Sequence, residues 1–87
     1  MTFIQLEYIV ALDTFRHFTL AAEHCNVTQP TLSMQVQKLE EELGIVIFDR
    51  SKQPVIPTAM GIEVIDQAKN ILTQRDVLRE LIEYKKG

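Results

Sequence analysis

Residues 26–44 read NVTQPTLSMQVQKLEEELG, and this stretch predicts a helix with two different faces. Thr28 is a favourable N-cap residue, and Pro30 is tolerated in the first turn because N–H groups there lack intrahelical partners. Gly44 follows the last periodic residue and is placed to end the helix. Apolar residues recur at steps of four, three and four and form a core-facing stripe. They are Leu32, Val36, Leu39 and Leu43.

The opposite face of this helix is polar and uncharged in its N-terminal half, apart from one methionine. At about 100° per residue, Pro30, Met34 and Gln37 lie there, with Ser33 beside them. Amide and hydroxyl groups can hydrogen-bond to base edges, and Met34 can contact a thymine methyl group. Glu41 lies roughly two turns or more from the N-terminal end that enters a groove, so the acidic run is compatible with DNA. Taken alone, such a polar face fits an ordinary solvated helix better, but the preceding helix, the tight turn and the hairpin that follows make us favour a DNA-reading face.

Two helices are predicted before this stretch. The first runs from Thr2 to about Phe15, with Thr2 as the cap, Gln5 completing a capping box, and Phe3 and Phe15 on a broad apolar face. The second, LAAEHC, is capped by Thr19, and its two alanines permit close approach by a neighbouring helix. A tight turn then leads into the helix of residues 26–44.

A short hairpin and a long helix are predicted after it. Residues 45–50 and the pair Val55 and Ile56 have strand composition, and SKQP between them forms a turn. Thr58 then caps a helix that runs to about Tyr84. Apolar residues on that helix repeat at heptad spacing, which indicates packing against another helix. The predicted dimerisation residues are Val64, Ala68, Ile71, Leu78 and Ile82, with Arg75 interrupting the repeat.

This order of elements predicts an all-α dominated fold. Three helices plus a short β-hairpin wing make a winged helix-turn-helix, which we assign to residues 1–57. Residues 58–87 form a long linker helix for dimerisation. An intramolecular brace remains the alternative role of that helix.

Composition narrows the class of protein. The chain has 87 residues, 46% of them hydrophobic and 24% charged, which fits one small soluble domain. No apolar run is long enough for a membrane span, and no signal peptide is recognisable. The single cysteine, Cys25, suits the cytoplasm and reads as a buried thiol. His17 and His24 form no metal-ligand set with it, and no nucleophile or phosphate-loop motif appears, so we expect no cofactor and no enzyme activity.

The stretches FTLAAEHCNVTQPTLSMQVQKLEEELGIVIFDRS and PTAMG, with QLEYIVALD before them, resemble the DNA-binding domain of LysR-type transcriptional regulators. The resemblance covers nearly the whole chain. Its helix and wing are similar to the peroxide-sensing, OxyR-like members. By position, the resemblance implies base-reading roles for Gln29, Pro30, Ser33 and Met34. It implies DNA-backbone, supporting or wing roles for Thr28, Thr31, Lys38, Arg50 and Lys52.

The resemblance also implies partners. They are double-stranded DNA, read at an inverted repeat, and a second copy of the chain bound through the linker helix, with a tetramer as a further form of full-length members. Such members carry an effector-binding domain that has no counterpart in these residues. Gln53, Pro54, Pro57 and Met60 depart from the usual family pattern. The net charge of -3 keeps one alternative open, a winged-helix module that binds protein without specific DNA binding.

Overall fold

The structure is a computed structural model and describes residues 1–87. Four helices and one two-stranded antiparallel sheet follow in the predicted order. The molecule is elongated, with principal extents of 48 × 25 × 19 Å. The helices and strands are α1 (Phe3–Phe15), α2 (Phe18–His24), α3 (Gln29–Leu43), β1 (Phe48–Asp49), β2 (Ile56–Pro57) and α4 (Ala59–Lys86).

Helix α3 begins and ends where the sequence predicts. The Thr28 hydroxyl accepts the Thr31 N–H, and Gly44 takes the left-handed conformation (φ 70°) that ends the helix. The predicted stripe is buried at its first three positions, each such burial stabilising the fold by about 1.5–3 kcal/mol. Its fourth residue, Leu43, is 38% exposed. Leu43 lines a shallow surface groove with Met60 instead of entering the core, so the stripe is one residue shorter than predicted.

Helix α1 carries the predicted capping box. The Gln5 N–H donates to the Thr2 hydroxyl, and the Thr2 N–H donates back to the Gln5 side chain. The predicted apolar face is wrong at its two ends, because Phe3 and Phe15 are both exposed. They flank the part of α1 that other helices cover, and Phe15 lies beside the His24 ring, with centroids 5.1 Å apart. The buried residues of α1 are Gln5, Leu6, Tyr8, Ile9, Ala11 and Leu12.

Helix α2 begins two residues earlier than predicted. His17, in extended conformation, is the N-cap, and its Nδ1 accepts the Leu20 N–H at 3.3 Å. The expected cap Thr19 is therefore wrong, since it lies within the first turn of the helix. The prediction for the alanines is confirmed, because Ala21 and Ala22 are buried where α2 meets α1 and α3.

The hairpin is shorter than the predicted strands. β1 pairs with β2 in a register that places Phe48 opposite Pro57. Residues 45–47 are outside the ladder, because the Ile45 N–H donates to the Glu40 carbonyl at 3.2 Å and the Ile47 N–H donates to the Glu40 carboxylate at 2.8 Å. The Val55 N–H likewise donates to the Arg16 carbonyl, at 3.0 Å. Side-chain and loop acceptors thus replace ladder bonds at the base of the wing.

Helix α4 is joined to the wing at its first turn. The Thr58 hydroxyl caps the Gly61 N–H at 3.0 Å, and the Thr58 N–H donates to the Ile47 carbonyl at 2.9 Å. Ile65 and Ala68 are buried in the same core as α1 and α3. The first half of the heptad face therefore packs inside the chain, mainly on α1, whereas residues 76–87 are exposed throughout.

Candidate nucleic-acid interface

Helix α3 presents the predicted polar surface to solvent. Gln29 and Pro30 are exposed in its first turn, and Met34 follows one turn later at 48% exposure. Gln37 and Lys38 continue this surface and are exposed as well. The buried stripe holds the opposite side of the helix against α1 and α2, so these side chains point away from the core.

The N-terminal end of α3 has few free hydrogen-bond donors. The Thr28 hydroxyl takes the Thr31 N–H at 3.3 Å and itself donates to the Thr31 hydroxyl at 2.8 Å. Pro30 has no N–H group. The N–H of Gln29 is therefore the one backbone donor in residues 29–31 that this cap leaves open.

The Arg50 side chain lies against α3. Its Nη1 donates to the Ser33 hydroxyl at 3.1 Å, and its Nη2 reaches the Ser33 carbonyl at 3.5 Å and the Glu40 carboxylate at 3.4 Å. Its guanidinium carbon also lies 5.0 Å from the centroid of the Phe18 ring. The structure thus brings Arg50 and Ser33 together, although the sequence placed them in separate elements with separate roles.

Glu40 is a residue of this region that sequence reasoning missed. It stands first in the run of three glutamates. Nothing in the sequence distinguishes it from Glu41 and Glu42, and only its hydrogen-bond partners in the structure do. Its side chain is 13% exposed and holds both the wing base and Arg50. Glu41 instead lies within 3.4 Å of the Gln37 amide, which donates to it on the outer face.

The wing tip carries both signs of charge. Lys52 is exposed there. Asp49 accepts the N–H and the hydroxyl of Ser51, at 3.0 and 2.6 Å, and these hydrogen bonds hold the pKa of Asp49 below its usual value, with the charge of Lys52 acting in the same direction. The tip is therefore less basic than Lys52 by itself would make it.

The predicted dimerisation residues divide into two groups. Ile71, Leu78 and Ile82 are exposed, and Val64 is half-buried against the core. Ala68 is 1% exposed inside the chain's own core, so its methyl group is unavailable to a partner helix. Val77 and Leu81 were not predicted, yet they are exposed beside Leu78 on the protruding half of α4.

Arg75 ties α4 to α1 instead of facing a partner. It donates to the Glu7 carboxylate and, at 2.9 Å, to Asp76, and these hydrogen bonds raise the pKa of Arg75. Its guanidinium also lies 5.7 Å from the Phe3 ring centroid. These contacts explain why a charged residue occupies a heptad position.

No three His, Cys, Asp or Glu side chains come together in a way that could hold a metal ion. None of the helices combines the length and the apolarity that crossing a bilayer requires.

The three-helix unit, the hairpin beside it and the exposed polar face of α3 define a winged helix-turn-helix. Residues 3–62 match the model of the bacterial regulatory helix-turn-helix proteins of the lysR family. The chain therefore belongs to the LysR family, and the predicted family and fold class are confirmed.

Individual relatives agree with this assignment. The chain is 46% identical over 81 residues to the hydrogen peroxide-inducible genes activator of Haemophilus influenzae, covering 93% of this chain and 27% of that protein. It superimposes on full-length OxyR from Pseudomonas aeruginosa with a TM-score of 0.95 and 48% identity, covering 100% of this chain and 30% of that one.

A second structure has nearly the same length as this chain. It is the BenM DNA-binding domain in complex with benA site 1 DNA, with a TM-score of 0.96 and 34% identity, covering 100% of this chain and 98% of that one. By contrast, the chain spans about a quarter of the length of the peroxide-inducible activators. These relatives are transcriptional regulators.

Proposed function

We propose that the chain binds double-stranded DNA sequence-specifically, as the DNA-binding domain of a bacterial LysR-type regulator. The observation that carries this proposal is the exposed N-terminal half of α3, where Gln29, Pro30 and Met34 are presented away from the core. A helix of this kind enters the major groove by its N-terminal residues. The likeness to the BenM domain, whose structure was determined in complex with DNA, supports DNA binding by this chain.

The residues divide into two roles in this proposal. Gln29, Pro30, Ser33 and Met34 contact base edges, with the Gln29 amide as the main hydrogen-bonding group. The DNA backbone is contacted by the end of α3 and by the wing, which fixes the register of the helix in the groove. The residues of this second group are Thr28, Thr31, Lys38, Arg50 and Lys52.

The active form in this proposal is a homodimer. Residues 1–57 act as the winged domain and residues 58–87 as the linker helix, with Ile71, Leu78 and Ile82 against the partner. Val64 lies at the edge of that contact. Two-fold symmetry then places two α3 helices on an inverted repeat. In a full-length protein the dimers can assemble further into a tetramer.

The same proposal covers the cellular location and the kind of regulator to which the chain belongs. It works in the cytoplasm, as a transcription factor must, and the chain has no catalytic role. The identity to peroxide-inducible activators favours a parent regulator of that kind. Signal sensing and effector binding then belong to a domain outside these 87 residues.

Selection from a randomised duplex pool tests the proposal directly. The purified chain is used at near-physiological salt, and an enriched inverted repeat is the expected result. Binding to the enriched site should weaken steeply as salt rises, because phosphate contacts release counterions. No enrichment at any salt, from a folded and dimeric sample, would contradict DNA reading and favour the protein-interaction module that the net charge of -3 also suits.

A further inference from the structure

The Arg50 guanidinium already contacts α3 in the free chain through both of its terminal nitrogens. It reaches the Ser33 hydroxyl at 3.1 Å, the Ser33 carbonyl at 3.5 Å and the Glu40 carboxylate at 3.4 Å, and its central carbon lies 5.0 Å from the centroid of the Phe18 ring. One side chain thus connects the wing to α3 and α2. A wing arginine that only binds a phosphate needs none of these contacts within the chain, so they indicate a different role for Arg50.

The Glu40 carboxylate holds this arrangement in place. One of its oxygens accepts the N–H groups of Ile47 and Phe48, and the other faces Arg50. A swing of Arg50 towards a DNA phosphate would break its hydrogen bonds to α3 and leave a largely buried carboxylate without its cation. Such unpaired charges are costly, so Arg50 is expected to stay on α3 when DNA binds.

This contact fixes the direction of the Ser33 hydrogen bond. A guanidinium has only donors, so the Ser33 oxygen is the acceptor and the hydroxyl proton is directed elsewhere. Two hydroxyls on the helices of this chain donate to the carbonyl four residues before them, Thr14 to Val10 at 3.0 Å and Thr73 to Lys69 at 2.9 Å. Ser33 makes no such bond and has no acceptor within the chain, so its proton is free at the surface of α3.

We propose that Arg50 is a positioning residue that presents Ser33 as a hydrogen-bond donor to the major groove. Accepting a charge-assisted hydrogen bond strengthens the donor character of the hydroxyl. The matching acceptors on base edges are guanine O6 and N7, adenine N7 and thymine O4. This inference rests on the proposed DNA binding and changes the role of Arg50, from a backbone contact to a residue that acts on specificity through Ser33.

Substitution of Arg50 by lysine separates the two roles. Lysine keeps the positive charge and can still contact a phosphate, but its single ammonium group cannot replace a forked guanidinium between Ser33 and Glu40. Arg50→Lys, Ser33→Ala and the double variant are compared with the wild type on the selected inverted repeat and on random DNA. Lys52→Ala serves as the control for an exposed wing charge, and circular dichroism with thermal melting checks that each variant is folded.

The two single variants should lose a similar affinity for the selected site, about five- to tenfold for one hydrogen bond. The double variant should lose no more than either single variant, because both remove the same interaction. The affinity of these variants for random DNA should stay within about twofold of the wild-type affinity. Lys52→Ala should instead weaken binding to both DNAs and reduce the slope of log affinity against log salt concentration by about 1.

Two results would overturn the inference while leaving the proposed function intact. One is wild-type affinity of a folded Arg50→Lys variant for the selected site. The other is additive losses in the double variant. Failure of the wild type itself to enrich any site would overturn the proposed DNA reading, and with it the role given to Ser33. The wild-type measurement therefore distinguishes the two failures.

Discussion

At the scale of single residues, the polar groups of α3 differ in how free they are. Ser33 and Thr31 already have partners within the chain. The Gln29 side chain is exposed and makes no hydrogen bond to the rest of the chain. An amide in this position can both donate to and accept from a base, so Gln29 is the most available base-reading residue of the four predicted.

Replacement of Gln29 by alanine should therefore cost specific binding. We expect a loss of about 1–3 kcal/mol on the selected site if the amide makes a bidentate base contact. Binding to random DNA should change little, since the substitution removes no charge. Fluorescence anisotropy titrations on both DNAs measure the two effects.

Gln67→Ala is a matched control for that substitution, because it removes an exposed amide from α4. It should leave both affinities unchanged. Equal losses for Gln29→Ala on selected and random DNA would show that Gln29 contributes no specificity.

The thiol of Cys25 is a second residue whose environment decides its chemistry. It lines a groove with Phe15 and His24 and is half-buried. Burial raises the pKa of the Cys25 thiol, and the negative charge of Glu7 raises it further. Because the thiolate is the reactive form, the folded chain should react more slowly than the unfolded chain.

The rate of alkylation by iodoacetamide, measured by mass spectrometry, tests this expectation. Since the folded pKa lies above the unfolded one, native Cys25 keeps its proton at pH values where the unfolded thiol has already lost it. The native rate should stay below the rate in denaturant until the pH exceeds the folded pKa. A native rate above the unfolded rate near neutral pH would contradict the raised pKa and indicate an activated thiol.

At the scale of secondary-structure elements, the wing is held by α3 and α4 more than by its own strands. β1 and β2 have two residues each. Glu40 from α3 and Thr58 at the start of α4 supply further hydrogen bonds, and the Arg16 carbonyl accepts one from Val55. The position of the wing beside α3 therefore depends on close approach between the backbone near Ile47 and the first turn of α4.

Gly61 permits that close approach. A Cβ at this position would lie 2.0 Å from the Ile47 carbonyl oxygen, which no side-chain adjustment can relieve because the clash is with backbone. Gly61→Ala should destabilise the chain by about 1–3 kcal/mol, the usual cost of overpacking. The midpoint of urea denaturation measures the change.

Met60→Ala in the same helical turn provides the comparison. Met60 is half exposed, so its truncation should alter the free energy of unfolding by no more than about 0.5 kcal/mol. Similar stability of the Gly61 and Met60 variants would mean that the wing can move away from α4 at little cost.

At the scale of the whole molecule, the two halves of α4 lie in different surroundings. Its first half completes the core through Ile65 and Ala68, and its second half protrudes with apolar side chains exposed. A protruding apolar helix face is costly in water unless another surface covers it. A second copy of α4 is the cover that the heptad spacing favours.

A charge placed on the exposed apolar face should therefore separate the subunits. Leu78 is 60% exposed, so Leu78→Glu should leave the fold of the monomer unaltered. It should also bring two like charges into the interface, and we expect a monomer at concentrations where the wild type is a dimer. Sedimentation velocity over a concentration series measures the change.

Thr73→Glu introduces the same charge on another side of α4 and should leave the dimer intact. Thr73 is exposed, and its hydroxyl donates only to the Lys69 carbonyl. A wild-type chain that sediments as a monomer at high micromolar concentration would contradict the dimer proposal. It would favour a role for α4 within one chain.

The sequence by itself determined the order of the helices, three of their four N-caps and the family. Thr2, Thr28, Thr58 and Gly44 act within a few residues of their own position, so local chemistry is enough to place them. The same holds for the buried positions in the middle of α3, whose periodicity needs no knowledge of the partner helix. Local rules failed at the start of α2, where His17 and Thr19 are both able to cap.

Only the tertiary structure decided which side chains are free and which are engaged. Arg50 meets Ser33 across 17 residues of chain, and Arg75 meets Glu7 across 68. Ala68 and Leu78 share a heptad pattern, yet one is buried and the other exposed, because α1 covers only the first half of α4. Such contacts depend on how elements meet in space, whereas sequence periodicity describes one element at a time.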